Sequence, residues 1–98
     1  MDQRRLTSMM EIQSDTGRFY IKEQGKNVAE ITFTSLGNDV ISIDHTFVDS
    51  SLRGKGIAEK LIRKVIDYAR TENLKINPAC SYAAYHFDKF PEDRDLLH

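Results

Sequence analysis

The chain has 98 residues, 40% hydrophobic and 30% charged, with a formal net charge of −1. That length suits one domain with a modest core and leaves no room for a second. The near-neutral balance excludes a global attraction to nucleic acid or to an anionic membrane, and no apolar run approaches the length that spans a bilayer.

Residues 1–12 carry little pattern and read as a mobile tail ahead of a single domain at 13–98. Met1–Ser8 lacks the apolar run of a signal peptide. Cys80 is the only cysteine, so no internal disulfide and no cysteine-built zinc site can form. These features predict a cytoplasmic protein in a reducing environment, without a metal and as a monomer.

Gly17–Lys22 alternates apolar and polar residues around Phe19 and Ile21, as a half-buried strand does. Gln24-Gly25-Lys26-Asn27 is a turn signal, and Val28–Phe33 reads as a second strand. Leu36-Gly37-Asn38-Asp39 is another turn, rich in residues that tolerate left-handed angles. A third strand is expected over Val40–Val48, completing an antiparallel meander.

After Asp49-Ser50-Ser51 the period changes. Apolar residues at 57, 58, 61, 62, 65, 66 and 69 hold a 3.6-residue repeat, which predicts an amphipathic helix from about Gly56 to Asn73. Leu74–Asn77 reads as a fourth strand that Pro78 ends. A shorter helix follows from Ser81 to about Lys89, before Pro91, and residues 92–98 add a partial turn. Strand, crossover helix and returning strand make a right-handed parallel unit. The expected class is α+β: a four-stranded mixed sheet with two helices on one or both faces.

The chemistry lies in the strand-to-helix junction, Val48 to Ala58. Glycines at 54 and 56 let the backbone turn tightly and let a ligand approach the main chain. The first N–H groups of the helix lack internal partners and carry partial positive charge, which suits phosphate oxygens. Arg53 and Lys55 add charge at the rim, and Leu52–Lys75 holds seven Lys/Arg against three Asp/Glu. The spacing fits neither a Walker loop, since Gly56 follows Lys55, nor the three-glycine dinucleotide fingerprint.

Arg53-Gly54-Lys55-Gly56-Ile57-Ala58 does match the signature of the GNAT acyl-CoA N-acyltransferases: Arg or Gln, two residues, Gly, one residue, then Gly or Ala. The chain resembles a short, stand-alone GNAT-like group, with His45-Thr46 before the loop and Cys80-Ser81-Tyr82 after the next strand. The resemblance covers about Gly17 to Pro91. It implies that the loop holds the pyrophosphate of acetyl-CoA. Main-chain groups near Phe47 and Val48 would bind the pantetheine arm in a V-shaped gap where Val40–Val48 and Leu74–Asn77 splay apart. Where larger relatives place Asn, Ala and Tyr after that strand, this chain has Cys80, Ala83 and Phe87, and Phe87 has no hydroxyl to protonate a thiolate.

His45 is a candidate general base; it also falls in step with Ile41, Ile43 and Phe47, as a core histidine would. Tyr82 and Tyr85 are candidate acids or packing residues. Cys80 precedes the helix opening at Ser81, where a helix N-terminus favours a thiolate; it is a candidate acetyl acceptor or a packed hydrophobe. His86 and His98 have no evident role. Two functions stay open: an N-acetyltransferase acting on an unnamed amine or protein acceptor, or a non-catalytic acetyl-CoA-binding module, a sensor or partner subunit.

Overall fold

The computed structural model describes residues 11–98, so most of the expected tail lies outside the described residues. The elements run β1 (Gln13–Asp15), β2 (Arg18–Glu23), β3 (Lys26–Gly37), β4 (Val40–Val48), a 3-10 turn (Ser50–Leu52), α1 (Ile57–Glu72), β5 (Lys75–Pro78), α2 (Ser81–Lys89) and a C-terminal 3-10 segment (Pro91–Leu96). The class is α+β as expected, with one more strand: the sheet has five, in the order β1-β2-β3-β4-β5. Three exposed residues form β1, too short for a periodic signal, and antiparallel pairing with β2 makes it a strand. Strand β3 runs through the expected turn at Leu36-Gly37, because Thr34, Ser35 and Gly37 find partners on β4.

The hairpins turn where left-handed angles were expected. Gln24 and Gly25 join β2 to β3 with φ of 52° and 77°, and Asn38 and Asp39 join β3 to β4 with 54° and 61°. Two consecutive positive φ values match the right-handed strand twist. Helix α1 ends on Asn73 at φ 57°, whose N–H turns back to the Ala69 and Arg70 carbonyls.

Both helices pack on one face of the sheet. Leu61, Ile62, Val65, Ile66 and Ala69 of α1 join Ala83 and Phe87 of α2 and Ile21, Ala29, Ile31, Ile43 and Ile76 of the sheet in a single buried cluster. Each fully buried branched side chain there contributes roughly 1.5–3 kcal/mol over its exposed state. Among the described residues, no helix is long and apolar enough to cross a membrane.

Strand β4 carries the irregularity that matters most for the site. Thr32 pairs with His45 but Phe33 pairs with Ile43, so Asp44 is an extra residue with no partner on β3, a β-bulge. The strict alternation that put His45 in step with Ile41 and Ile43 is broken there. Ile43 is buried on the helical side, whereas His45 is exposed, so the expectation of a core histidine does not hold.

The C-terminal segment ties the two helices together through a buried carboxylate. Asp93, 2% exposed, accepts from Arg63 at 3.0 and 3.2 Å and from Arg70 at 3.1 Å, and lies 2.9 Å from His86 Nε2. Burial alone would raise its pKa, but the hydrogen bonds from Arg63, His86 and Arg70 outweigh that and hold it down to about 2. A depressed carboxyl stabilises the fold above its unfolded pKa, and that contribution disappears as pH falls through the folded value. Urea unfolding should therefore show stability falling between about pH 4 and pH 2. Asp93→Asn should cost about 3 kcal/mol at neutral pH and should flatten that acid limb; an unchanged limb would assign it to other carboxylates.

Candidate functional site

The site begins where β4 and β5 part. Their parallel pairing ends at Ile43 opposite Pro78, and the Ile43 carbonyl accepts the N–H groups of both Ala79 and Cys80 at 3.0 Å. Among the described residues, Asp44 to Val48 therefore have no strand on that side. Asp49 N–H donates to Val28 C=O at 2.8 Å, and antiparallel pairs alternate. Phe47 therefore turns its main-chain groups toward Glu30, and Thr46 and Val48 turn theirs to the open edge. Of the two residues singled out in sequence, Val48 offers its backbone to the gap, and Thr46 is the second residue that does.

The loop after β4 is built by local bonds. The Asp49 carboxylate accepts from Ser51 N–H at 3.1 Å and from Ser51 Oγ at 2.6 Å, which holds its pKa below the ordinary range. Leu52 is buried and anchors the turn. Gly54 and Gly56 follow at φ 82° and 73°, in the left-handed region, and a Cβ on either would meet no atom within 4 Å. The space in front of them is open. Gly56 is the N-cap of α1 and supplies no side-chain cap, so the N–H groups of the first turn face that space without partners among the described residues. Arg53 and Lys55 are exposed beside it and form no ion pair among the described residues.

These parts enclose a cavity of about 310 Å³, lined by Val48, by Leu52, Arg53, Gly54 and Gly56–Glu59, and by Tyr82 from α2. Arg53, Gly54, Gly56, Ile57 and Ala58, expected from the sequence, meet around it with Val48. Tyr82 closes the far wall; burial, with a smaller effect from Glu59, raises its phenol pKa, so it stays protonated and able to donate.

Cys80 lies at the head of the gap. Its Sγ caps α2, accepting from Ala83 N–H at 3.4 Å, and sits 3.5 Å from Thr46 Oγ1. Adjacent strand residues point to opposite faces, so Thr46 reaches Cys80 on the helical side while His45 and Phe47 project from the other. The structure thus separates the two residues proposed for catalysis, His45 and Cys80, by the thickness of the sheet. Thr46 and Glu59 were not assigned roles in sequence. Thr46 shares a face with Val48 at i, i+2, but the bulge that sets this face leaves no mark in composition. Among the described residues, no group of three His, Cys, Asp or Glu is placed to hold a metal.

Comparison with known proteins bears on this geometry. The family model for GCN5-related N-acetyl-transferase matches residues 18–96. The chain is similar to a GCN5-like protein of Staphylococcus aureus solved in solution, at 37% identity and a TM-score of 0.79, over 93% of this chain and 90% of that one. It is also similar to protein NATD1 of Gallus gallus, 29% identical over 70 residues, which is 71% of this chain and 64% of the relative. The match thus spans less than two thirds of that relative's length. A Bacillus anthracis protein solved with acetyl coenzyme A shares the fold alone, at 20% identity and a TM-score of 0.54, over 74% of this chain and 44% of that one. With four fifths of its length matched by the family model, the chain belongs to the GCN5-related N-acetyltransferase family.

Proposed function

We propose that residues 13–98 form a single domain that binds acetyl-CoA and transfers its acetyl group to an amine on a small molecule or a protein. The observation that carries this reading is the pairing of two open features 8 to 10 residues apart in sequence: a helix start capped by Gly56, with N–H groups unpartnered among the described residues, and the open β4 edge at Thr46 and Val48. The first suits a pyrophosphate. The second suits an amide-bearing arm, by the same bonds that add a strand to a sheet edge. In this reading Gly54 to Ala58 hold the pyrophosphate, with Arg53 and Lys55 neutralising charge, and the main chain of Thr46 and Val48 holds the pantetheine. The acyl thioester then lies by Cys80 and Tyr82. Tyr82 can donate a proton to the departing thiolate, a role Phe87 cannot fill. The Bacillus anthracis neighbour bound to acetyl coenzyme A supports the ligand class through its shared fold.

The loop is testable without knowing the acceptor. Gly56→Glu fills the phosphate position with a side chain and a negative charge, while its cost to folding is only the left-handed backbone strain of about 1–2 kcal/mol. It should abolish acetyl-CoA binding with the amide spectrum otherwise kept. In the unmodified protein, amide shifts on titration should cluster at residues 46–58 and 80–82; shifts elsewhere would remove this site.

A second reading concerns Cys80 itself, favoured by its two hydrogen-bonding neighbours at the gap. The thiol would attack the thioester carbon, forming an Sγ–acetyl bond as the bond to coenzyme A breaks, and its proton would pass to the leaving thiolate. One thioester replaces another. Incubation with acetyl-CoA should give a single acetyl adduct by intact mass, removable with hydroxylamine. Cys80→Ala should lose the adduct and keep coenzyme binding. No adduct at saturating acetyl-CoA would leave Cys80 as the helix cap alone.

A further inference from the structure

The basic run from Leu52 to Lys75 is only partly used by the fold and the loop. Arg63 and Arg70 bind the Asp93 carboxylate, Arg70 also binds Asp95, and Lys75 donates to the Asp95 carbonyl. Arg53 and Lys55 stand exposed beside the loop. Lys60 and Lys64 are left over, both exposed and neither in an ion pair among the described residues. Their placement on α1 is unfavourable. Like charges at i and i+4 repel along a helix, and Lys60 lies close to the Gly56 cap, where the helix dipole disfavours a cation. An anion held by both lysines offsets both costs. A hollow of about 550 Å³ runs along this face, lined by Lys60 and Lys64, by Arg63 between Glu59 and Asp67, and from outside the helix by Ile12. The two carboxylates stand four residues to either side of Arg63 and act on its charge, which leaves the lysines uncompensated. Ile12 packs against the core cluster and gives the hollow an apolar contact.

We propose that this hollow docks an acidic amphipathic helix of another protein. Lys60 and Lys64 are separated by a rise of about 6 Å, and carboxylates at i and i+4 of a second helix repeat that spacing. An apolar side chain beside those carboxylates then meets Ile12, as in other helix-in-groove contacts. A nucleic acid or an anionic membrane presents charge over a wide front, which a chain of net charge −1 with two spare lysines does not match. Residues 1–10 of this chain carry Arg4 and Arg5 against Asp2, the wrong sign for the hollow. Arg53 and Lys55 take no part, so the docking surface stands apart from the coenzyme reading.

Titration with a synthetic helical peptide carrying glutamates at i and i+4 beside leucine tests this, with its lysine-for-glutamate counterpart and coenzyme A titrated in parallel. The acidic peptide should bind the unmodified protein, weaken as salt rises and shift the amide signals of Ile12 and residues 59–67. The basic peptide should not bind. Lys60→Glu and Lys64→Glu should each weaken the acidic peptide several-fold, and together about tenfold or more. Lys60→Glu should also unfold at a higher urea concentration than the unmodified protein, because it removes the like-charge pair and places an acid near the helix start. A less stable Lys60→Glu variant would give that lysine a structural role and overturn the proposal. An unmodified protein that ignores the acidic peptide, or binds both peptides equally, would overturn it as well. Self-association that Lys60→Glu abolishes would make a second copy the occupant and overturn it. Lysine variants that lose coenzyme A, in a protein that binds no peptide, would assign the hollow to the coenzyme instead.

Discussion

The Ile43 carbonyl is the point on which the site turns. It takes the last two N–H groups of the β5 side, from Ala79 and Cys80, and by doing so closes the β4–β5 ladder after four residue pairs. Had the ladder continued, Thr46 and Val48 would have spent their main-chain groups on β5 and the edge would be an ordinary sheet interior. Because it stops, β4 keeps five residues whose open side can accept only solvent or a ligand. The same bond positions Cys80 to begin α2, so the gap and the helix that walls it have one origin.

The bulge at Asp44 complements this ending. An extra residue on β4 lets Ile43 and Thr46 both face the helices, three positions apart, where a regular strand would turn one of them away. It brings the Thr46 hydroxyl to Cys80 and sends His45 and Phe47 to the opposite face. Asp44 itself stays on the far side, held by Ser42 Oγ at 2.7 Å and Thr34 Oγ1 at 2.6 Å. One inserted residue thus decides which β4 side chains face the helices.

The wall formed by α2 needs its own restraint, since a nine-residue helix is too short to hold its conformation alone. Asp93 provides it by gathering Arg63 and Arg70 of α1 and His86 of α2 around one buried carboxylate. Lys75 Nζ donates to Asp95 C=O at 2.7 Å and His98 N–H to Ile76 C=O at 3.0 Å, tying the end of the chain to the outer edge of β5. Removing one partner from a buried ionic group leaves the others unpaired in low dielectric, which is why such clusters are costly to break. The separation of Tyr82 from the loop is therefore fixed from both ends of α2.

Periodicity and turn chemistry determined α1, the hairpins and the loop from the sequence alone, because each depends on neighbours within a few positions. The repeat from Ile57 to Ala69, the positive-φ pairs at Gln24-Gly25 and Asn38-Asp39, and the glycines at 54 and 56 are all local demands on the backbone. The loop residues that line the cavity, Arg53, Gly54 and Gly56 to Ala58, were legible for that reason. Contacts across the chain were not. The pairing of β1, the bulge at Asp44, the meeting of Thr46 with Cys80 34 positions later and the gathering of charge on Asp93 depend on which strands and helices lie side by side. A one-residue register change inverts every side chain beyond it, and nothing in the run Val40–Val48 announces where that change falls. The sequence alone thus set the glycine-capped start of α1; the tertiary structure decided which side chains and main-chain groups gather around it.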